Sequence, residues 1–286
     1  MAVLSFQSEV ASGHVGNSAA VPAFQQMGVE CWPITTASFT NHPAHRSFSG
    51  GPVLSDQVAE LFAEGMKRGR LKTRDAVLSG FVGEAATADV IADAVSHVRA
   101  ASLDAKYFCD PVMAHEDGLF VANDVASAIK ATLLPLADFV FPNQFELEFL
   151  SGKKVETLDD VSAACAALFA IGPRAIICTS IRVRVTPPDK IMTICATPDS
   201  MWVIETPHLP GPLHGAGDLF AALFVGHYLA SDIIWDGSHM PLVTARAVSS
   251  AYGVLKATGA ALDLALIPNL KEITAPSDIF SARQIR

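Results

Sequence analysis

The chain comprises 286 residues, 50% of them hydrophobic and only 17% charged, with a formal net charge of −9. That apolar fraction argues against disorder, the acidic balance argues against a nucleic acid held by its phosphates, and no unbroken apolar run reaches the roughly 18 residues of a bilayer span. No Lys or Arg precedes Arg46, and the five cysteines lie scattered without metal-ligand spacing, so the expectation is a reduced, cytoplasmic protein with no membrane partner and no secretory leader.

In chain order, "AVLSF" (Ala2–Phe6) predicts a buried strand. "QSEVASGHVGNSAA" follows and opens a helix; Gly13 and Gly16 predict a tight turn, with Ser8 at the strand tip. "ECWPIT" (Glu30–Thr35) predicts a second strand, and the polar, His-rich "TNHPAHRSFSGG" (Thr40–Gly51) a loop or lid. His14, His42 and His45 lack convergent metal spacing and read as loop or cap residues. "SDQVAELFAEGMKRG" places apolar residues three and four apart and predicts a helix. "DAVLSG" (Asp75–Gly80), "KYFCD" (Lys106–Asp110), "DFVFP" (Asp138–Pro142) and "AIICT" (Ala175–Thr179) predict further buried strands. In "TLDDVSAACAALFAIG", Thr157 and Asp160 predict a capping box at a helix start. "KIMTICAT" and "SMWVIET", split by "PDS", predict an antiparallel hairpin at one sheet edge. Helical patterns resume over Asp218–Ala230 and Leu242–Thr258. Such alternation implies an α/β fold, with a central, mostly parallel sheet flanked by helices on both faces. No repeat or linker divides residues 1–286, so one domain is expected.

Chemistry concentrates in "GPLHGAGDLFAAL" (Gly211–Leu223). Small residues at a helix start leave amides free to meet an anion. Asp218 behind them is either an N-cap or a base that takes a proton from a hydroxyl attacking that anion. The Walker phosphate loop is absent, and "GAGDLF" lacks the third glycine of a dinucleotide fingerprint, which excludes a Rossmann oxidoreductase. "FCDPVMAHEDG" puts Asp110 at a strand's carboxyl edge, and "FVFPNQFELEFL" puts Asn143 and Glu146 past another. Each could be a helix cap; together they could hold a hydrated Mg²⁺.

Six blocks, "QSEVASGHVGNSAA", "FTNHP", "LSGFVG", "KYFCDPVM", "LADFVFPNQFELEFLSG" and "HGAGDLFAA", resemble in order and spacing those of pyridoxal kinases, within the ribokinase-like superfamily. The resemblance implies a ribokinase-like sheet with a small edge hairpin and a lid loop, a homodimer, and transfer of the ATP γ-phosphoryl to the 5′-hydroxyl of pyridoxal and related B6 vitamers. By motif it implies Asp218 as general base and the amides of Gly215, Ala216 and Gly217 as the anion hole. Ser8, Pro43, Ala44 and Phe81 match the vitamer side. Asp110, Phe141, Asn143, Glu146 and Thr179, with Thr206, Pro207, His208 and Leu209, match the ATP side; Asp110 and Glu146 would hold Mg²⁺ through water. Ala216, Ala114, Pro43 and Phe81 stand where that family commonly has Thr, Gly, Thr and Tyr. Two other readings are a hydroxymethylpyrimidine kinase of the same superfamily and a non-catalytic B6-binding protein.

Overall fold

The computed structural model describes residues 1–69, 75–231 and 239–286. β1 (Ala2–Val10) leads into α1 (Asn17–Gln26), and β2 (Glu30–Phe39) turns back through β3 (Gly50–Pro52) before α2 (Ser55–Lys67). β4 (Ala76–Ser79), α3 (Thr87–Ala101) and β5 (Lys106–Cys109) continue the alternation. A small hairpin of β6 (Ala114–His115) and β7 (Gly118–Leu119) precedes α4 (Asn123–Ala128) and β8 (Phe139–Val140). Next come α5 (Gln144–Ser151), α6 (Leu158–Phe169), β9 (Ala175–Ile181), β10 (Lys190–Thr197) and β11 (Ser200–Pro207). α7 (Ala216–Ala230), α8 (Met240–Thr258), α9 (Lys271–Thr274) and β12 (Arg283–Gln284) complete the order.

The main sheet is ten-stranded, in the order β12-β11-β10-β9-β8-β5-β4-β1-β2-β3. Its centre, from β2 to β9, is parallel throughout. Side chains alternate faces along each strand, so one strand feeds two cores. Leu4 and Phe6 of β1, Tyr107 of β5 and Ile176 of β9 pack beneath α2, α3 and α6. Val3, Phe108 and Ile177, their sequence neighbours, pack beneath α1, α7 and α8. Both faces are therefore covered, and for that reason these strands read as continuous apolar runs rather than alternating ones.

The capping box forms as expected: Asp160 donates its amide to Thr157 Oγ1 at 3.2 Å, and Thr157 donates its amide to Asp160 Oδ2 at 2.9 Å. Other boundaries moved. β1 and β2 run past their apolar stretches because ladder pairing carries them on, as far as Val10 opposite Phe39. "DFVFP" contributes only Phe139 and Val140 to the sheet. The β10–β11 hairpin is not outermost: β12 pairs Gln284 with Trp202 and Arg283 with Val203, a two-residue contact with no periodicity to announce it. At the other edge the lid returns to the sheet as β3. Among the described residues, no helix is long and apolar enough to cross a membrane.

Parallel strands all end on one side, so the loops after β1, β4, β5, β8 and β9 share one edge. Two antiparallel reversals, β9 to β10 to β11, return the end of β11 to that same edge.

Candidate active site

The glycine turn sits at this edge. Gly215 is the N-cap of α7 at φ 84°. A Cβ there would overlap the His14 carbonyl, so both the backbone conformation and the close approach require glycine. Ala216 donates its amide to the Leu213 carbonyl at 3.1 Å, and the first helical bond runs from Leu219 to Gly215 at 2.9 Å. Among the described residues, the amides of Gly215, Gly217 and Asp218 meet no acceptor. Of the three amides expected to form an anion hole, that of Ala216 is engaged in closing the turn, and Asp218's own amide is free beside the other two. These orphan donors, at the positive end of a helix of 15 residues, favour an anion. Asp218 lies in the first turn of α7 and is not its cap.

Three carboxylates converge beside these amides. Asp110 follows β5, and its Oδ2 is buried without a partner. A Cβ on Gly217 would meet only that atom, at 3.9 Å, so the turn faces Asp110 directly. Glu146 is buried and accepts amides from Asn143 at 2.9 Å, Met113 at 2.9 Å and Ala114 at 3.3 Å. Asn143 caps α5 through the amides of Phe145 and Glu146, and donates Nδ2 to the Ala114 carbonyl at 2.7 Å. Capping and site-building are thus one arrangement: it fastens the loop after Asp110 to the start of α5. Thr179 bridges to Asn143 from the next strand.

Burial pushes all three carboxyls up. Glu146 is held at about 7 by desolvation despite its three amide donors, with Asp218 adding repulsion. Asp110 is raised well above the carboxylate range by burial, then by Glu146 and Asp218. Asp218, half-buried, is raised by burial and opposed by the amide of Gly16. Among the described residues, no Lys or Arg offsets any of the three, and no group of three His, Cys, Asp or Glu is placed to chelate a cation directly. Crowded acids beside orphan amides suit a ligand that brings phosphate oxygens together with a hydrated divalent cation.

On the other flank, Ser8 is buried against Gly16, where any Cβ would overlap the Ser8 carbonyl. Phe81 is half-buried and edge-on to Phe39 at 6.4 Å, which meets Phe48 of the lid at 6.2 Å. Pro43 and Ala44 are exposed on that lid. A continuous series therefore runs from Ser8 through Gly16, Asp218, Gly217 and Asp110 to Glu146, Asn143 and Thr179. Thr206 is buried at the end of β11, Pro207 and His208 are exposed, and Leu209 is partly so. Phe141 differs: its ring is buried in the core, 5.0 Å from Phe224, so only its main chain borders the edge.

Sequence reading missed several participants. Asn17 is buried; it accepts Ser5 Oγ at 2.8 Å and donates to the carbonyls of Ser5, Gln7 and Ile34. It ties the middle of β1 and of β2 to the start of α1. Asp263 meets His45 across 218 positions, a contact that no local pattern could announce. His214 stands in the glycine block, but its partner comes from the lid.

A protein-family model described as phosphomethylpyrimidine kinase matches residues 11–233. A pyridoxal kinase PdxY of Corynebacterium diphtheriae is 37% identical over 288 residues, covering 100% of both chains. One from Rubrobacter xylanophilus is 38% identical, covering 99% of this chain and 97% of its own. Among solved structures, the pyridoxal kinase of Leishmania donovani in complex with ADP superposes with a TM-score of 0.89 at 25% identity, covering 100% of this chain and 99% of that one.

Proposed function

The chain belongs to the pyridoxal kinase family as an ATP-dependent kinase of B6 vitamers, and we propose that Asp218 takes the proton of the vitamer's 5′-hydroxyl as it attacks the γ-phosphoryl group of ATP. One observation carries this reading: a desolvated carboxylate on the first turn of α7, set beside free amides and faced by Ser8's neighbour Gly16. Its raised pKa suits a base that must accept a proton and hold it. The amides of Gly215, Gly217 and Asp218 meet the charge on the moving phosphoryl, and positioning with charge stabilisation does most of the catalytic work.

Ser8 and Phe81, with Pro43 and Ala44 on the lid, border the vitamer. Asn143, Thr179 and the Thr206–Leu209 segment border the nucleotide. Asp110 and Glu146 would hold Mg²⁺ through its water shell, and the ion when bound supplies the positive charge that this edge lacks. The lid, pinned by the aromatic row Phe81–Phe39–Phe48, excludes water that would hydrolyse ATP. Residues 1–286 act as one cytoplasmic kinase domain. Pairing as a homodimer is supported by exposed apolar side chains such as Leu54, the N-cap of α2, and Leu61 within that helix.

The test is ATP consumption measured side by side with pyridoxal, pyridoxine, pyridoxamine and hydroxymethylpyrimidine. Turnover of the B6 forms is expected; turnover of hydroxymethylpyrimidine alone would overturn the B6 reading in favour of a hydroxymethylpyrimidine kinase. Asp218→Asn should lose about 10²–10⁴-fold in kcat while ATP binding, followed by calorimetry, persists. Near-normal turnover in that variant would remove Asp218 from its role.

A further inference from the structure

The lid is held at two points by one turn. His45 donates its amide to the His42 carbonyl at 3.1 Å, closing a β-turn with Pro43 at its second position, where a ring-fixed φ is preferred. The turn presents two histidines to two different segments. His42 stacks on His214 of the glycine turn, ring centroids 4.0 Å apart and planes inclined by 20°. His45 Nε2 meets Asp263 Oδ1 at 3.1 Å, in the stretch after α8. That stretch is itself fixed: His14 Nδ1 bonds the Leu264 carbonyl at 3.0 Å, and Gly13 lies against the Asp263 carboxylate.

We infer that His42-Pro43-Ala44-His45 is a two-pronged clasp, and that His42 and His214 are positioning residues which seat the lid on the phosphate turn and so set the affinity for the phosphoryl acceptor. The inference rests on the lid bordering the vitamer, as proposed above. Pro43 acts here through the backbone conformation it imposes rather than through a contact to substrate. The Ala44 amide donates to His42 Nδ1 at 3.2 Å, so the stacked ring is neutral, with its proton on Nε2. Two neutral rings can stack closely where two imidazolium rings would repel. His214 also stands next to Gly215, so a lid seated on its ring is registered directly against the catalytic turn.

The clasp is tested with His42→Ala, His214→Ala, the double variant and His214→Phe, which keeps a ring to stack upon. A stack of ordinary strength corresponds to about 2- to 12-fold in lid closure. Each alanine variant should raise KM for pyridoxal by that factor, the double variant should be no worse than the larger single one, and His214→Phe should return to wild type. A second readout needs no substrate: Arg46 is exposed on the lid, and tryptic cleavage there should quicken in the alanine variants by the same factor. Unchanged cleavage in His42→Ala, additive losses in the double variant, or a phenylalanine variant that behaves like alanine would overturn the clasp. His42→Ala carries the test if His214→Ala does not fold, because His42 lies in a loop outside both cores. Inactivity of the wild type towards every vitamer, with lid protection following the clasp pattern, would instead count against the kinase reading.

Discussion

Gly215 and Gly217 look alike in the sequence and do different things in the fold. Gly215 holds a left-handed backbone beneath the His14 carbonyl, so Gly215→Ala combines backbone strain of roughly 1–3 kcal/mol with a steric overlap, and urea melts should show a clear loss of stability. Gly217 has open space around it, with only Asp110 Oδ2 at 3.9 Å. Gly217→Val should melt as the wild type does yet abolish turnover, since the side chain fills the approach to the free amides. Asp110 shows the opposite balance. Its unpartnered, buried oxygen costs the fold about 1–3 kcal/mol, so Asp110→Asn should raise Tm by a few degrees while turnover collapses. A lower Tm in that variant would mean that the carboxylate is satisfied in a way its surroundings do not suggest. The small-residue block and its aspartate were legible because their chemistry is local. The engagement of Ala216's amide was not, because it depends on the positive φ of 46° at Leu213, which no residue type signals.

The lid is the element whose behaviour pH should reveal. His42 is pushed down from an ordinary 6.5 to about 4, first by burial, then by His214 and His45, with Asp263 opposing. A released lid takes up this proton at the ordinary pH, so closure is at full strength above about 6.5 and weakens as pH falls towards 4. Amide hydrogen exchange in the lid, corrected for its intrinsic pH dependence, should therefore accelerate across that window in the wild type. In His42→Phe the acceleration should vanish; if it persists, another group controls the lid. The element's existence was read from its polar, unpatterned composition. Its docking was not, because His42 and His214 meet only after the sheet has stacked strands from both halves of the chain.

For the molecule as a whole, the crowded edge predicts how ligands stabilise the fold. A ligand held only by the native state at 100 times its Kd adds about 2.7 kcal/mol. ADP with Mg²⁺ should therefore raise Tm by several degrees, whereas ADP with EDTA should do far less, since the crowded acids offer bare phosphates no positive charge and repel them once ionised. Equal protection under both conditions would show that the acids do not need a cation to admit the nucleotide. The sequence by itself determined the strand–helix alternation, the parallel centre of the sheet, the hairpin and the small-residue block with its aspartate. Each of these follows from periodicity, or from residue types that act on their immediate neighbours. Tertiary structure alone decided which acids crowd together, which amides stay free, that β12 and β3 close the sheet's edges, and that a histidine turn clasps the lid. Those outcomes depend on contacts between residues far apart in the chain, and such contacts exist only once both cores are packed.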